Sequence, residues 1–238
     1  MTKIIKNNLP FISIIIPTYN ESKNIQNLLL FFDSLDKSNF EVIISDSPES
    51  SDDTKNVVND YRQIYIKSPK AGRACQMNEG ARIAKGDIFC FLHADVLPPK
   101  TFIQDIKVAL THEQQFGFFA YKFHPTTTLL NINARFTTKD GLFAGGGDQI
   151  HFMTAALFKQ MNGYDTQFCI MEDFDFVRRL RKAKKAITII QNRATVSSRK
   201  YTNNSYLKVN LLNLMAFIMF TFRSNPATIK SLYYRYLN

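Results

Sequence analysis

Asp95 stands just beyond the apolar run Ile88-Phe89-Cys90-Phe91-Leu92, with His93 two residues before it. The run reads as a buried strand, so an imidazole and a carboxylate emerge together at the rim of a sheet. In open α/β sheets that rim is where ligands bind. There Asp95 can give an oxygen donor to Mg²⁺ or Mn²⁺ carrying a phosphorylated ligand, or simply cap the turn before Pro98-Pro99. His93 reads more simply as a hydrogen-bonded structural group. Asp46 ends another apolar run and can accept a hydrogen bond from a base or a ribose hydroxyl, or cap the turn through Ser47-Pro48. Arg73, beside Gly72, can meet a diphosphate, with backbone donors from the helix that follows; its plainer reading is a solvated surface arginine. Glu172-Asp173 opens a helix amid apolar and basic residues. A carboxylate there can act as a general base or only complement the helix dipole, worth about 0.3–1 kcal/mol. Gly145-Gly146-Gly147, before Asp148 and Gln149, lets backbone approach a ligand or forms an ordinary loop.

The elements that must position these groups alternate. Residues 11–16 read as a strand ended by Pro17, with Asn20 capping a helix whose Ile25, Leu28, Leu29, Phe32 and Leu35 keep helical spacing. Residues 41–45 are a second strand, and Ser51 caps a helix with Asp52 and Asp53 in its first turn. Residues 64–66 form a short third strand near an edge. A helix with small residues Ala74, Ala81 and Ala84 on one face then runs to a C-cap at Gly86. Such alternation predicts βαβ units and a mostly parallel sheet, with Pro17, Asp46 and His93 brought to one edge. Further on, residues 116–123 read as a strand, 126–138 as helix and 150–153 as strand. A helix from Ala155 ends at Asn162-Gly163. The helix from Met171 turns Phe174, Val177 and Leu180 inward, and two short strands follow at 187–190 and 194–196. The expected organisation is one domain over residues 1–203 and a C-terminal amphipathic helical appendage over 204–238.

Of 238 residues, 45% are hydrophobic and 21% charged, which excludes a disordered chain. Thirty basic residues against 20 acidic give +10, a surface suited to nucleotides, phosphorylated substrates, nucleic acid or anionic lipid. Cys75, Cys90 and Cys169 lack metal-site or redox spacing and are expected as thiols in a reducing cytosol. Lys3, Lys6 and the short apolar stretch between Pro10 and Pro17 do not read as a signal peptide. Residues 211–222 are too few to span a bilayer, which takes roughly 20. The C-terminal helix places Leu207, Leu211, Leu214, Ile218 and Phe222 at intervals of three and four, between Lys208 and Arg223. It reads as an in-plane membrane contact, an oligomer interface or a helix packed back on the domain. The expected setting is cytoplasmic, with peripheral contact on the inner membrane face as the alternative.

Taken in order, these segments resemble the family-2 glycosyltransferases of the GT-A fold. Ile14-Ile15-Ile16-Pro17-Thr18-Tyr19-Asn20-Glu21 is similar to the family's first strand and nucleotide loop. Asp46 with residues 50–54 resembles its acidic second turn, and Gly72-Arg73-Ala74 with Asn78 and Gly80 its next signature. Gly86-Asp87 precedes the fourth strand as in the family. Leu92-His93-Ala94-Asp95 occupies the place of the Asp-x-Asp motif. Gly147-Asp148-Gln149 and Met171-Glu172-Asp173 look like the acceptor-side loop and the catalytic acidic motif. The likeness covers roughly residues 11–200, and its specificity lies in the order of the motifs. It implies a Rossmann-like, mostly parallel sheet flanked by helices, and inverting transfer of a sugar from a nucleoside diphosphate sugar, UDP being typical, to a hydroxyl acceptor. Asp173 would be the base and Asp95 the ligand of a divalent metal. Pro17, Tyr19, Glu21, Asp46 and Arg73 would hold the nucleotide, while Gly147, Asp148, Gln149 and Glu172 would face the acceptor. The chain departs from the pattern where His93 replaces the first aspartate. It also departs in having no Trp, and so no Gln-x-x-Arg-Trp motif; Ser197-Ser198-Arg199-Lys200-Tyr201 is the nearest counterpart. Non-processive transfer, in a compact subgroup carrying His-Ala-Asp, is therefore expected.

Two rival readings are weaker. A sugar-nucleotidyltransferase would want a Gly-rich basic loop after the first strand, where this chain has Pro17-Thr18-Tyr19-Asn20-Glu21. A non-catalytic basic module for nucleic acid or a membrane surface explains the charge but not carboxylates at strand ends, so nucleic acid is not an expected partner.

Overall fold

The computed structural model describes residues 10–110 and 113–237; Lys3 and Lys6 lie outside them. In chain order the elements begin β1 (Ile12–Thr18), α1 (Ser22–Asp33), β2 (Phe40–Asp46), α2 (Thr54–Asp60), β3 (Ile64–Lys67), α3 (Arg73–Ile83), β4 (Ile88–Phe91), β5 (Val96–Leu97) and α4 (Phe102–Ala109). They continue with β6 (Phe116–His124), α5 (Thr128–Arg135), β7 (His151–Thr154), α6 (Ala155–Gln160), α7 (Glu172–Lys182), β8 (Thr188–Ser197), α8 (Arg199–Asn203), α9 (Tyr206–Thr221) and α10 (Pro226–Tyr236). One eight-stranded sheet runs β3-β2-β1-β4-β7-β6-β8-β5. The alternation within β1 divides the core. Ile12, Ile14 and Ile16 pack on one face with α1 and α4, while Ile15 packs on the other with α3, α6 and α7.

The expected parallel half is present: β1 pairs parallel with β2 and β4, and β2 with β3. β7 then runs antiparallel to β4, with Phe91 opposite His151, so it begins at the edge where β4 ends. β6 is antiparallel to β7 and parallel to β8. The carboxyl ends of β1, β2, β3, β4, β6 and β8, and the start of β7, therefore share one edge.

Several local expectations are corrected. Pro17 lies inside β1 rather than ending it, opposite Ser45. Its N–H position faces the side where β4 has already ended, since the last bond there is Leu92 N–H to Ile15 O, so no ladder bond is lost. Asn20 does not cap α1. It sits at φ 54°, and its Oδ1 accepts from the Ser51 and Asp52 amides. Asp52, from the loop after β2, accepts from the Ser22 amide at the start of α1. Ser51 caps nothing, because α2 starts at Thr54, whose amide and hydroxyl bond Asp52. Gly86 lies beyond the end of α3; its amide donates to Ser13 Oγ, and a Cβ there would sit 2.6 Å from Ser13 N. Phe174 turns to α9, its ring meeting Phe217 and Phe220. The two last strands are one, β8, with a register shift opposite Phe119 and Tyr121. The C-terminal segment is two helices, not one. β5 and α4 were not foreseen.

Candidate active site

The loops after β1 and β2 are latched to one another by buried side chains. Asp46 is buried and receives Thr18 and Ser50 hydroxyls on Oδ1, each at 2.7 Å, and Tyr65 on Oδ2 at 3.0 Å. A carboxylate has about four acceptor positions, so one remains, on Oδ2. Burial, then the Asp46 charge, push the Tyr65 phenol up to about 12. Gln76, buried on α3, donates to the Thr18 and Ser45 carbonyls at 2.6 and 2.8 Å and ties the two strand ends together. Tyr19 is exposed, and Glu21 accepts from Asn24 and lies 3.6 Å from Arg199.

α3 carries Arg73 to the same edge. It starts after Gly72, whose φ of 118° favours glycine, with no side-chain cap over its first amides. Arg73 Nε lies 2.7 Å from Glu172 Oε1 but out of hydrogen-bonding alignment, and neither oxygen of the fully buried Glu172 accepts a hydrogen bond among the described residues. Burial holds Glu172 above the usual carboxylate range; Arg73 opposes the shift, and the Asp173 charge adds to it.

Asp173, next on α7, is buried, with Oδ2 3.8 Å from His93 Nε2. Burial alone would raise it, but the His93 imidazole beside it and the Arg73 charge outweigh burial and hold the carboxylate low and ionised. His93 thus stands against the acidic motif of α7 and is more than a turn residue. His151 is set by its partners: Nε2–H donates to Gly145 O at 2.7 Å, so Nδ1 accepts from the Tyr164 hydroxyl at 3.2 Å. Burial lowers its pKa, as that neutral tautomer requires. α7 itself is braced by buried Asp175, which accepts from Arg178 and Arg179, while Arg179 also donates to the Met161 and Gly163 carbonyls.

Asp95 is anchored through its backbone, its carbonyl accepting from the Ser197 amide of β8. Burial raises its carboxyl pKa, and the charge of Asp148 raises it further. A buried carboxylate whose ionisation a neighbouring carboxylate opposes is a hard-oxygen site that a divalent cation would relieve. The described residues contain no cluster of three or more metal-ligating side chains. Such a cation would therefore lean on ligand phosphates, as Mg²⁺ commonly does. The residues fit the metal.

A cavity of about 750 Å³ brings Arg73, Asp95, Gly147, Asp148 and Asp173 together. Its further lining includes Tyr121 from β6, Lys200 from α8, and Asn213 and Tyr233 from α9 and α10. The C-terminal hairpin is one wall of this cavity. Lys200 Nζ bonds the Tyr233 hydroxyl, which donates to Asn213 Oδ1 at 2.8 Å. Pro17, Tyr19, Glu21 and Asp46 lie outside the lining, on the neighbouring strand ends. Gln149 is not brought in. It is buried, accepts from the Gly145 amide and donates to the Phe119 and Thr137 carbonyls, so it braces the loop instead of facing an acceptor. Glu172 stays behind Asp173. Gly146 is a packing point, since a Cβ there would sit 2.0 Å from the Phe174 ring. Gln76, His151 and Lys200 were not singled out from the sequence as site residues; the partners of Gln76 and Lys200 are distant in the chain, and His151 also reaches Tyr164 thirteen residues on.

Residues 13–174 match the family model described as glycosyl transferase family 2. Glycosyltransferase AglE of Haloferax volcanii is 33% identical over 104 residues, 40% of this chain and 34% of that one. A Methanococcus voltae dolichyl N-acetyl-α-D-glucosaminyl phosphate 3-β-D-2,3-diacetamido-2,3-dideoxy-β-D-glucuronosyltransferase is 28% identical over 226 residues, 83% of this chain and 69% of the relative. The chain thus spans about a third of the length of the first relative and somewhat over two thirds of the second. Among solved structures, a Pyrobaculum calidifontis mannosyltransferase in complex with GDP-Man and Mn²⁺ superposes with a TM-score of 0.69 at 15% identity, over 96% of this chain and 69% of that one. That likeness bears out the GT-A-type α/β fold. The family match covers more than half of the chain, which belongs to glycosyl transferase family 2.

Proposed function

We propose that this chain transfers a sugar from a nucleoside diphosphate sugar to an acceptor hydroxyl, with inversion, metal-assisted and without processive elongation. The observation that carries the reading is Asp173: a buried carboxylate, held ionised, that faces the cavity on which Asp95, Asp148 and Arg73 also converge. In this reading Asp173 accepts the acceptor's proton as its oxygen bonds the anomeric carbon and the bond to the diphosphate breaks. Attack from the face opposite the leaving group inverts the centre. Arg73 meets the departing diphosphate, and Asp95, with Asp148 beside it, holds the divalent metal. When bound, that ion supplies charge compensation for the leaving group. The Mn²⁺ and GDP-Man of the Pyrobaculum enzyme support both the metal and the donor class. Pro17, Tyr19, Glu21 and the free acceptor position of Asp46 flank the base and ribose, Gly147 and Asp148 border the acceptor, and the absence of Trp supports a single transfer.

The test is a screen of nucleotide sugars for Mn²⁺-dependent binding and turnover. Asp173→Asn should abolish transfer and leave UDP or GDP affinity within about twofold, since it removes only the base. Transfer that survives in that variant assigns the base elsewhere. Nucleotide binding indifferent to both Mn²⁺ and Asp95→Ala removes the metal from the reading.

A further inference from the structure

α9 is apolar on two opposite faces. Val209, Leu212, Ala216 and Phe220 are buried in the body of the protein. On the other side Leu207, Leu211, Leu214, Met215, Ile218 and Phe222 are exposed, Leu207 at 78% and Phe222 at 81%. A helix apolar all round is ordinarily covered all round. The exposed stripe is not isolated. α5, tied to α9 by the Asn133–Asn210 hydrogen bond, exposes Leu129 and Ile132, with Phe136 just beyond its end. Phe143, on the loop before Gly145, is exposed and lies against Phe217 at 4.8 Å. Phe136, Phe143, Leu214 and Phe217 also line the cavity that contains Asp173. One apolar surface therefore runs from the outside of α9 into the candidate active site. A patch of this kind marks an interaction site.

The charge around it selects the partner. No acidic residue follows Asp175 in the chain, and α9, the turn after it and α10 carry Lys208, Arg223, Lys230 and Arg235, none of them in an ion pair among the described residues. Arg135 and Lys139 border the α5 side, both exposed. Sixteen residues of helix, at 1.5 Å each, reach about 24 Å, short of the ~30 Å hydrocarbon layer, and no described helix is long and apolar enough to cross a membrane. We propose that the exposed faces of α9, α5 and the Phe143 loop dock in the plane of an anionic lipid bilayer. The cavity mouth then opens on the membrane, and the acceptor is an amphiphile whose hydroxyl-bearing head reaches Asp173 while its chain stays in lipid. The docking rests on the surface alone; the acceptor class rests on the transferase reading above.

The experiment is co-sedimentation of the full chain with phosphatidylcholine vesicles, with and without phosphatidylglycerol, beside Mn²⁺–UDP titration and sedimentation velocity. The wild type should pellet with the anionic vesicles. The triple variant Leu211→Ser, Ile218→Ser, Phe222→Ser should lose about tenfold or more of that binding with UDP affinity unchanged, because none of these side chains lines the cavity. A phospholipid carrying a diazirine in its acyl chain should label α9 and the Phe136–Phe143 rim. A wild type that stays in the supernatant overturns the docking whether or not UDP binds, as does labelling confined to other surfaces. A dimer that ignores vesicles and falls apart in the triple variant assigns the face to a second copy and overturns it too. Vesicle binding without any nucleotide binding leaves the docking intact and removes the transferase reading.

Discussion

His93 decides how the acidic motif behaves. Its imidazole faces Asp173 and helps to hold that carboxylate ionised against burial. An aspartate at this position therefore should not improve the proposed transfer. A second carboxylate about 5 Å from Asp173 would add on the order of 3 kcal/mol of repulsion at an effective dielectric near 20. The expected result for His93→Asp is transfer reduced about tenfold or more and a lower melting temperature; activity equal to the wild type would mean that His93 does not support the base. Arg73 is the matching case. It is the cation facing fully buried Glu172, so Arg73→Ala leaves a buried carboxylate unpaired, a defect that costs 3–5 kcal/mol for fully enclosed pairs. The Arg73 side chain is 39% exposed, and solvent screening reduces the expected loss to about 2 kcal/mol. In a Glu172→Gln background the same substitution should cost less than half as much, which denaturant unfolding of the four proteins would measure. That Asp95, Arg73 and Asp173 reach one cavity was legible in the sequence, because motif order and strand ends mark them. Gln149 was misread because nothing local reveals that its amide is consumed by the Gly145, Phe119 and Thr137 backbone.

The start of α1 is capped from the neighbouring loop and not from its own. Asp52 accepts from the Ser22 amide of α1 and from Thr54 of α2, and Asn20 accepts from the Ser51 and Asp52 amides in return. Local capping rules place Asn20 and Ser51 at the helix starts, because a Ser or Asn before an apolar-periodic segment is the usual signal. They miss the exchange because it depends on β1 and β2 lying side by side. Desolvation of Asp52 opposes its ionisation, yet the Ser22 and Thr54 donors prevail and lower its pKa. A depressed carboxylate stabilises the fold above its unfolded pKa and loses that contribution as pH falls through the folded value. Asp52→Ala should therefore cost about 1–2 kcal/mol near neutrality. The gap to the wild type should stay constant above roughly pH 5 and narrow below about pH 4. A gap that widens on acidification would contradict the assigned role. The period-based elements fared better: β1 to β4 and α1 to α3 fall within a few residues of expectation because strand burial and helix spacing are local properties.

At the scale of the molecule the sheet does what no segment of sequence announces. β7 enters antiparallel beside β4, and β8 returns parallel to β6. Asp148, Tyr121 and Lys200, from widely separated stretches, thus reach the rim already carrying Asp95 and Arg73. Alternating strands and helices predict the first half of this arrangement. The second half depends on long-range pairing, which leaves little trace in local periodicity. The same convergence makes ligand binding a property of the whole fold, because nucleotide and metal would bridge loops after β1, β2, β4 and the start of β7. A ligand that binds only the folded state adds about 2.7 kcal/mol at a hundredfold excess over its Kd. For a domain of this size that corresponds to a rise in melting temperature of roughly 5–10 °C. UDP or GDP with Mn²⁺ should produce such a rise. Chelation with EDTA should remove most of it, and Asp95→Ala should remove the same part without chelator. A nucleotide-induced rise that survives both treatments would place the diphosphate on Arg73 and the α3 N-terminus alone, and Asp95 would then be a structural cap of its turn.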